Sequence, residues 1–191
     1  MSEKGTVPRV SMLLRDKYRI AVLAAYALAL HGFEFLLPMP IPWLKFGLAN
    51  IITLVALVLY GFRIAFTVSL IRVVIASIFT GTFLGPAFIL SLGGAALSAA
   101  AMGLAYASAG NLFGPVGLSI IGALFHNIAQ LALAYVFFIQ RIEAVLLISP
   151  VIILIGTLTG FANGVVSDIL IKNILKKGNE NPQNGTVTSE T

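Results

Sequence analysis

Residues 115–139 read PVGLSIIGALFHNIAQLALAYVFFI, with no Asp, Glu, Lys or Arg among them. At about 1.5 Å of rise per residue a helix of this length reaches about 37 Å, more than the roughly 30 Å of a bilayer's hydrocarbon core. Its polar interruptions are grouped. His126 and Gln130 are spaced i,i+4, and Asn127 and Gln130 i,i+3, so each pair shares a helix face. An apolar rod with such a face predicts a membrane-spanning helix whose polar side turns toward protein, not lipid.

The rest of the chain has the same character. Its 191 residues are 59% hydrophobic and 10% charged, with a mean hydropathy of +1.00. Soluble domains carry about 25% charged residues, so a water-soluble globule, a nucleic-acid-binding domain and a disordered chain are all excluded. Cys is absent, which removes disulfides, thiolate metal sites and cysteine nucleophiles. The polar, basic start through Arg19 runs into an apolar stretch without a small-residue cleavage site, so no cleaved signal is expected.

Six stretches are apolar enough to cross: about Ile20–Leu37, Leu44–Tyr60, Arg63–Thr80, Pro86–Tyr106, Pro115–Ile139 and Pro150–Ile174. Pro86, Pro115 and Pro150 stand where helices should begin, since the first turn needs no N–H from them. Ser149 would cap the sixth helix. Pro38, Pro40 and Pro42 prevent the first two helices from joining, and Gly61 separates the second from the third. The expectation is an all-α integral membrane protein, a six-helix bundle over 18–177, between a cytoplasmic tail at 1–17 and a disordered cytoplasmic tail at 178–191.

Charge orients the bundle. With the first residue inside, the inner side holds Lys4, Arg9, Arg15, Lys17, Arg19, Arg63, Lys172, Lys176 and Lys177, and the outer side only Lys45 and Arg141. This is a positive-inside bias, placing both termini in the cytoplasm.

Arg72, the remaining cation, falls inside the third span. It lies nine residues past Arg63, about 13 Å into the bilayer, and His126 is eleven past Pro115, about 16 Å in. A charge at that depth costs about 2.5–3.5 kcal/mol on insertion scales. His31 and Glu34, at i,i+3, share a face near the outer end of the first span, and Asn50 begins the second. These positions outline an outward-facing pocket walled by Glu34, Asn50, Arg72, His126, Asn127 and Gln130. The alternative is that these groups bond one another and hold helices together, which is the expectation for Asn163. Asp168 should meet Lys172 at i+4 near the inner surface.

Two outer loops frame this region. Pro38–Lys45 is proline-rich and carries Trp43, the single tryptophan, which either caps the pocket or anchors at the interface. Lys45, the last residue of this loop, is counted with Trp43, Thr80 and Thr82 among the candidate substrate-binding residues. Thr80–Pro86 is a glycine-rich turn with two hydroxyls, Thr80 and Thr82, before a helix start whose N–H groups suit an anion; the glycines by themselves read as a plain tight turn. Small residues form two stripes, Ala21, Ala25 and Ala29 on the first span and Ser91, Ala95, Ala99 and Gly103 on the fourth. Such stripes allow close helix approach. The second reads as internal packing, the first as internal packing or a docking face for another membrane protein.

Leu44-Lys-Phe-Gly-Leu-Ala-Asn-Ile-Ile-Thr-Leu54, Arg72 with Thr80-Gly-Thr-Phe83, Ser91-Leu-Gly-Gly94 and Ser119-Ile-Ile-Gly-Ala-Leu-Phe-His-Asn-Ile-Ala-Gln130 resemble the Gx transporter family, whose members are often labelled heptaprenyl diphosphate synthase component I. The resemblance covers about Tyr18 to Asp168. It implies kinship with the substrate-binding S components of energy-coupling-factor transporters: six helices, an outward pocket, a capping first loop, and an alanine repeat on helix one that docks a coupling subunit. Ala21, Ala25 and Ala29 match that repeat.

The synthase label meets a chemical objection. Prenyl diphosphate chemistry needs Mg²⁺ held by clustered carboxylates, and the only aspartates are Asp16 and Asp168, one near each end. No Walker loop or nucleotide fingerprint is present. The expectation is therefore a non-enzymatic binding and transport subunit for a small, partly apolar metabolite (vitamin-like, isoprenoid or flavin-related) without metal or cofactor, working in the lipid bilayer with a separate coupling membrane subunit and ATPase. The competing expectation is an accessory membrane subunit in menaquinone or isoprenoid metabolism or flavin-based electron transfer.

Overall fold

Helix fills nearly all of the computed structural model, which describes residues 7–36, 47–109 and 112–180. The helices are α1 (Val7–Leu36), α2 (Ala49–Tyr60), α3 (Phe62–Phe79), α4 (Pro86–Ala109), α5 (Pro115–Ala134, prolonged by a π-helical turn over Tyr135–Ile139) and α6 (Ile142–Glu180). No strand occurs among the described residues. Phe62–Phe79, Pro86–Ala109, Pro115–Ile139 and Ile142–Lys177 are each long and apolar enough to cross a membrane, and Ala49–Tyr60 is a shorter apolar helix.

Most breaks fall where local chemistry demands. α4 and α5 open on Pro86 and Pro115. α2 and α3 part at Gly61, whose φ of 89° lies in the left-handed region open to glycine. The Asp168 carboxylate accepts a bond from Lys172 Nζ at 2.6 Å, one turn on.

The sixth helix departs from expectation. It begins at Ile142, not Pro150, and Pro150 sits inside it. Proline there leaves the carbonyl four residues back without its N–H donor. That carbonyl belongs to Leu146, and Ser149 Oγ donates to it at 3.1 Å. Ser149 is thus no helix cap: its hydroxyl replaces the missing backbone donor, which is how proline is tolerated inside membrane helices. α1 likewise starts at Val7, ahead of its apolar stretch, and α6 continues to Glu180.

Around the bundle the neighbours run α1, α3, α4, α5, α6, with α2 touching all five. Short and apolar on every side, α2 is the natural occupant of the centre. Leu54 and Leu57 are wholly buried there, against Ala27 of α1, Val68 of α3, Met102 of α4 and Leu118 of α5.

The outer helices approach through glycine. On α6, Gly156, Gly160 and Gly164 repeat every four residues, a motif that sequence reading missed. A methyl on Gly164 would lie 2.6 Å from Val116 Cα, one on Gly160 2.7 Å from Ala123 Cβ, and one on Gly156 would collide with the Asn127 amide. The backbones of α5 and α6 therefore touch almost directly. The second stripe is internal as expected, but it faces α3: Ala95, Ala99 and Gly103 are buried, Ala95 packs with Val73, and a methyl on Gly103 would meet the Phe62 ring. Away from these seams α6 exposes Leu147, Leu154, Leu158 and Phe161, an apolar surface suited to lipid.

Candidate functional site

Glu34, near the end of α1, is 3% exposed. Its Oε1 accepts a bond from the Gly47 N–H at 2.6 Å. The Gly47 carbonyl in turn accepts one from Asn163 Nδ2 of α6 at 3.2 Å. Gly47 holds φ at 67°, in the left-handed region where a side chain costs roughly 1–2 kcal/mol. Glu34, Gly47 and Asn163 thus clasp α1, the entry to α2 and the middle of α6. Asn163 behaves as interhelical glue, as expected. The partnership with Gly47 was not legible, because 116 residues separate it from Asn163.

Arg72 occupies the interior of α3. The side chain is 8% exposed, and its Nε has no hydrogen-bond partner among the described residues. Glu34 supplies the opposing charge that acts on it, and Arg72 is in turn the charge felt by His126 of α5. The His126 ring faces the Gly94 backbone on α4. It covers that glycine so closely that a methyl there would fall 2.8 Å from Cε1. Four helices therefore contribute to one polar cluster: α1 through the buried Glu34, α3 through the buried Arg72, α4 through Gly94 and α5 through the half-buried His126. A buried donor without a partner forfeits its hydration, and a guanidinium edge pre-aimed in low dielectric binds a carboxylate, phosphate or carbonyl oxygen strongly.

The remaining candidates scatter. Asn127 turns away from His126 and reaches α6, where Nδ2 donates to the Ile152 carbonyl at 3.4 Å. Asn50 and Gln130 are half-buried. The exposed Thr80 donates to the Ala76 carbonyl at 2.9 Å, and its hydroxyl pairs with Thr82 at 2.9 Å. Both hydroxyls thus already have local partners. Trp43 and Lys45 lie outside the described residues. Sequence reading also missed the buried hydroxyls of Thr53 and Ser98, whose oxygens have no partner among the described residues.

The two clearest cavities lie elsewhere, along the seam of α1 and α3. One, of about 620 Å³, is lined by Lys17, Ala21, Ala24 and Ala25 of α1 and Thr67 and Ile71 of α3 among others. The next, of about 460 Å³, continues from Leu28 past His31 and Gly32 to Phe79 and Thr80. Ala21 and Ala25 line this groove, whereas Ala29 is exposed without lining either cavity.

A family model described as heptaprenyl diphosphate synthase component I matches residues 23–170. The chain belongs to this family. No curated protein and no solved structure matches it. In this member of the heptaprenyl diphosphate synthase component I family the matched span runs from Leu23 of α1 to Leu170 of α6, and so contains both the clasp and the Arg72 cluster. The family description names a component, not a whole synthase. Among the described residues no three His, Asp or Glu side chains gather as metal ligands would.

Proposed function

We propose that this membrane protein is a substrate-binding and transport subunit, built like an energy-coupling-factor S component, for a small, partly apolar metabolite. The observation that carries the reading is Arg72: a guanidinium buried inside the bundle, its Nε without a partner among the described residues, facing the elements that bring Glu34 and His126. Arg72 would hold the anionic or carbonyl end of the ligand, His126 and Gln130 would orient it, and the apolar helix walls would take the remainder. Glu34 and Asn50 would line the outer rim, and Trp43 and Lys45 would cap it. Asn127 enters only through its neighbour, because its amide serves α6. No residue is assigned a catalytic role.

In this reading α1 and α2 complete a six-span domain over 18–177 in a bacterial plasma membrane, with tails at 1–17 and 178–191 in the cytoplasm. Reporter fusions after Lys177 and within 107–111 should then read cytoplasmic and those within 38–42 external; an external C-terminus would end the six-span topology. The exposed Ala21, Ala25 and Ala29 would dock a coupling membrane subunit that brings an ATPase.

The test is purification of the full chain from its own membrane in native lipid. Mass spectrometry should find a stoichiometric small molecule, and a membrane subunit with an ATPase should accompany it. Leu at both Ala25 and Ala29 should remove that subunit and leave the small molecule in place. The second reading is an accessory component in isoprenoid or quinone metabolism or flavin-based electron transfer; the family description supports its isoprenoid part. A stoichiometric flavin or quinone absorption band, with no coupling subunit, would replace the first reading by the second.

A further inference from the structure

We propose that the groove between α1 and α3 binds one anionic phospholipid, its acyl chain lying along the alanine face of α1 and its phosphate held at Lys17 and Arg63. The groove exists because Ala21, Ala24 and Ala25 end at Cβ where their neighbours Ile20 and Leu28 do not. Ile71 and Ile75 of α3 form the opposite wall. Thr67, the one hydroxyl on that wall, donates to the Arg63 carbonyl at 2.8 Å and so has its proton engaged within its own helix.

Length and charge select the occupant. From Lys17 to Leu28 the helix climbs about 16 Å, the depth of one leaflet of a hydrocarbon core of roughly 30 Å. Lys17 lines the end of this groove, and Arg63 stands one turn beyond Thr67 on the facing helix. Among the described residues neither cation has an ion-pair or hydrogen-bond partner. Their neighbours are engaged: Arg19 lies 3.6 Å from Asp16 and 4.7 Å from the Tyr60 ring, and Lys172 bonds Asp168. An apolar channel one leaflet deep, with Lys17 on its lining and Arg63 one turn beyond Thr67, complements a chain bearing a phosphate. The lipid occupies this face in the chain on its own; a coupling subunit docking at Ala21 and Ala25 would displace it.

Native mass spectrometry of the purified full chain tests the site, with equimolar phosphatidylglycerol and phosphatidylcholine of identical acyl chains as probes. One phosphatidylglycerol should be retained in preference. Lys17→Gln with Arg63→Gln should lower that retention about tenfold, whereas Arg15→Gln with Lys177→Gln, an equal loss of charge, should not. Ala21→Phe with Ala25→Phe fills the groove from exposed positions and should displace the lipid while both cations remain. Equal loss in the two charge pairs, or full retention in the filled groove, would mean adsorption at the membrane surface and would overturn the proposal. Glycerol phosphate competing as well as the whole lipid would do the same, because the chain would then contribute nothing. The readout needs neither a coupling subunit nor a metabolite, so it stands or falls separately from the proposed transport role.

Discussion

Replacing Arg72 by Met is expected to lower affinity for the small molecule that accompanies the chain by tenfold or more, while the bundle still folds in detergent. Methionine keeps much of the apolar stem and removes the charge. A hydrogen bond to a charged group is worth about 1.5–3 kcal/mol net, and about 1.4 kcal/mol is tenfold in binding. Folding should survive because the substitution also removes the cost of a desolvated charge: Nε makes no bond among the described residues that its loss could break. Glu34 would lose its opposing charge but keep the Gly47 N–H at 2.6 Å. His126→Ala should weaken the same ligand while α4 and α5 stay together, since Gly122 of α5 still packs against Met102 and Ser98 of α4. Isothermal titration and thermal melting together decide the matter. Normal binding combined with early melting in both variants would make Arg72 and His126 structural glue and move the ligand site elsewhere.

The second large effect is expected from Gly164→Leu and Gly160→Leu. A Cβ at Gly164 falls 2.6 Å from Val116 Cα, which is backbone and has no rotamer to move into. At Gly160 the first obstacle is Ala123 Cβ at 2.7 Å, with the Ser119 carbonyl behind it at 3.3 Å. Overpacking in a close-packed interior costs about 1–3 kcal/mol per site, and displacement of two helices along their shared seam puts these positions at the upper end. Melting temperature in detergent should fall sharply for both. Gly32→Ala provides the contrast: nothing lies within 4 Å of its added methyl, and alanine is the better helix former by about 1 kcal/mol, so its melting should hold or rise. If Gly164→Leu melted with the unaltered protein, the close approach of α5 and α6 would be wrong.

Much of this architecture was written locally. The apolar lengths, the helix starts at Pro86 and Pro115, the break at Gly61, the Asp168–Lys172 pair and the internal stripe through Ala95 and Ala99 each depend on residues a turn or two apart. A bilayer strengthens such signals, because its thickness sets span length and its lack of water forces backbone bonding within each helix. The misreading at Pro150 has a local cause: the Ser149 hydroxyl supplies the Leu146 carbonyl with the donor that proline lacks, so the helix runs through.

The site is a different matter. His126 and Asn127 are consecutive, and sequence spacing grouped both with Gln130, yet a helix turns about 100° per residue. One ring settles on Gly94 of α4 while the next amide reaches Ile152 of α6. Thr80 and Thr82 pair with each other instead of facing the Arg72 cluster. Glu34 meets Gly47, and Gly47 meets Asn163, only because α2 sits at the centre and brings its entry against α6. By itself, then, the sequence determined that this chain is a set of apolar helices, where most of them begin and break, and which few polar groups the membrane interior must accommodate. Tertiary structure alone decided which helix each polar group faces and that α1 and α3 leave a groove between them, because those outcomes depend on how glycine surfaces and side chains of distant segments fit, and that fit has no one-dimensional period.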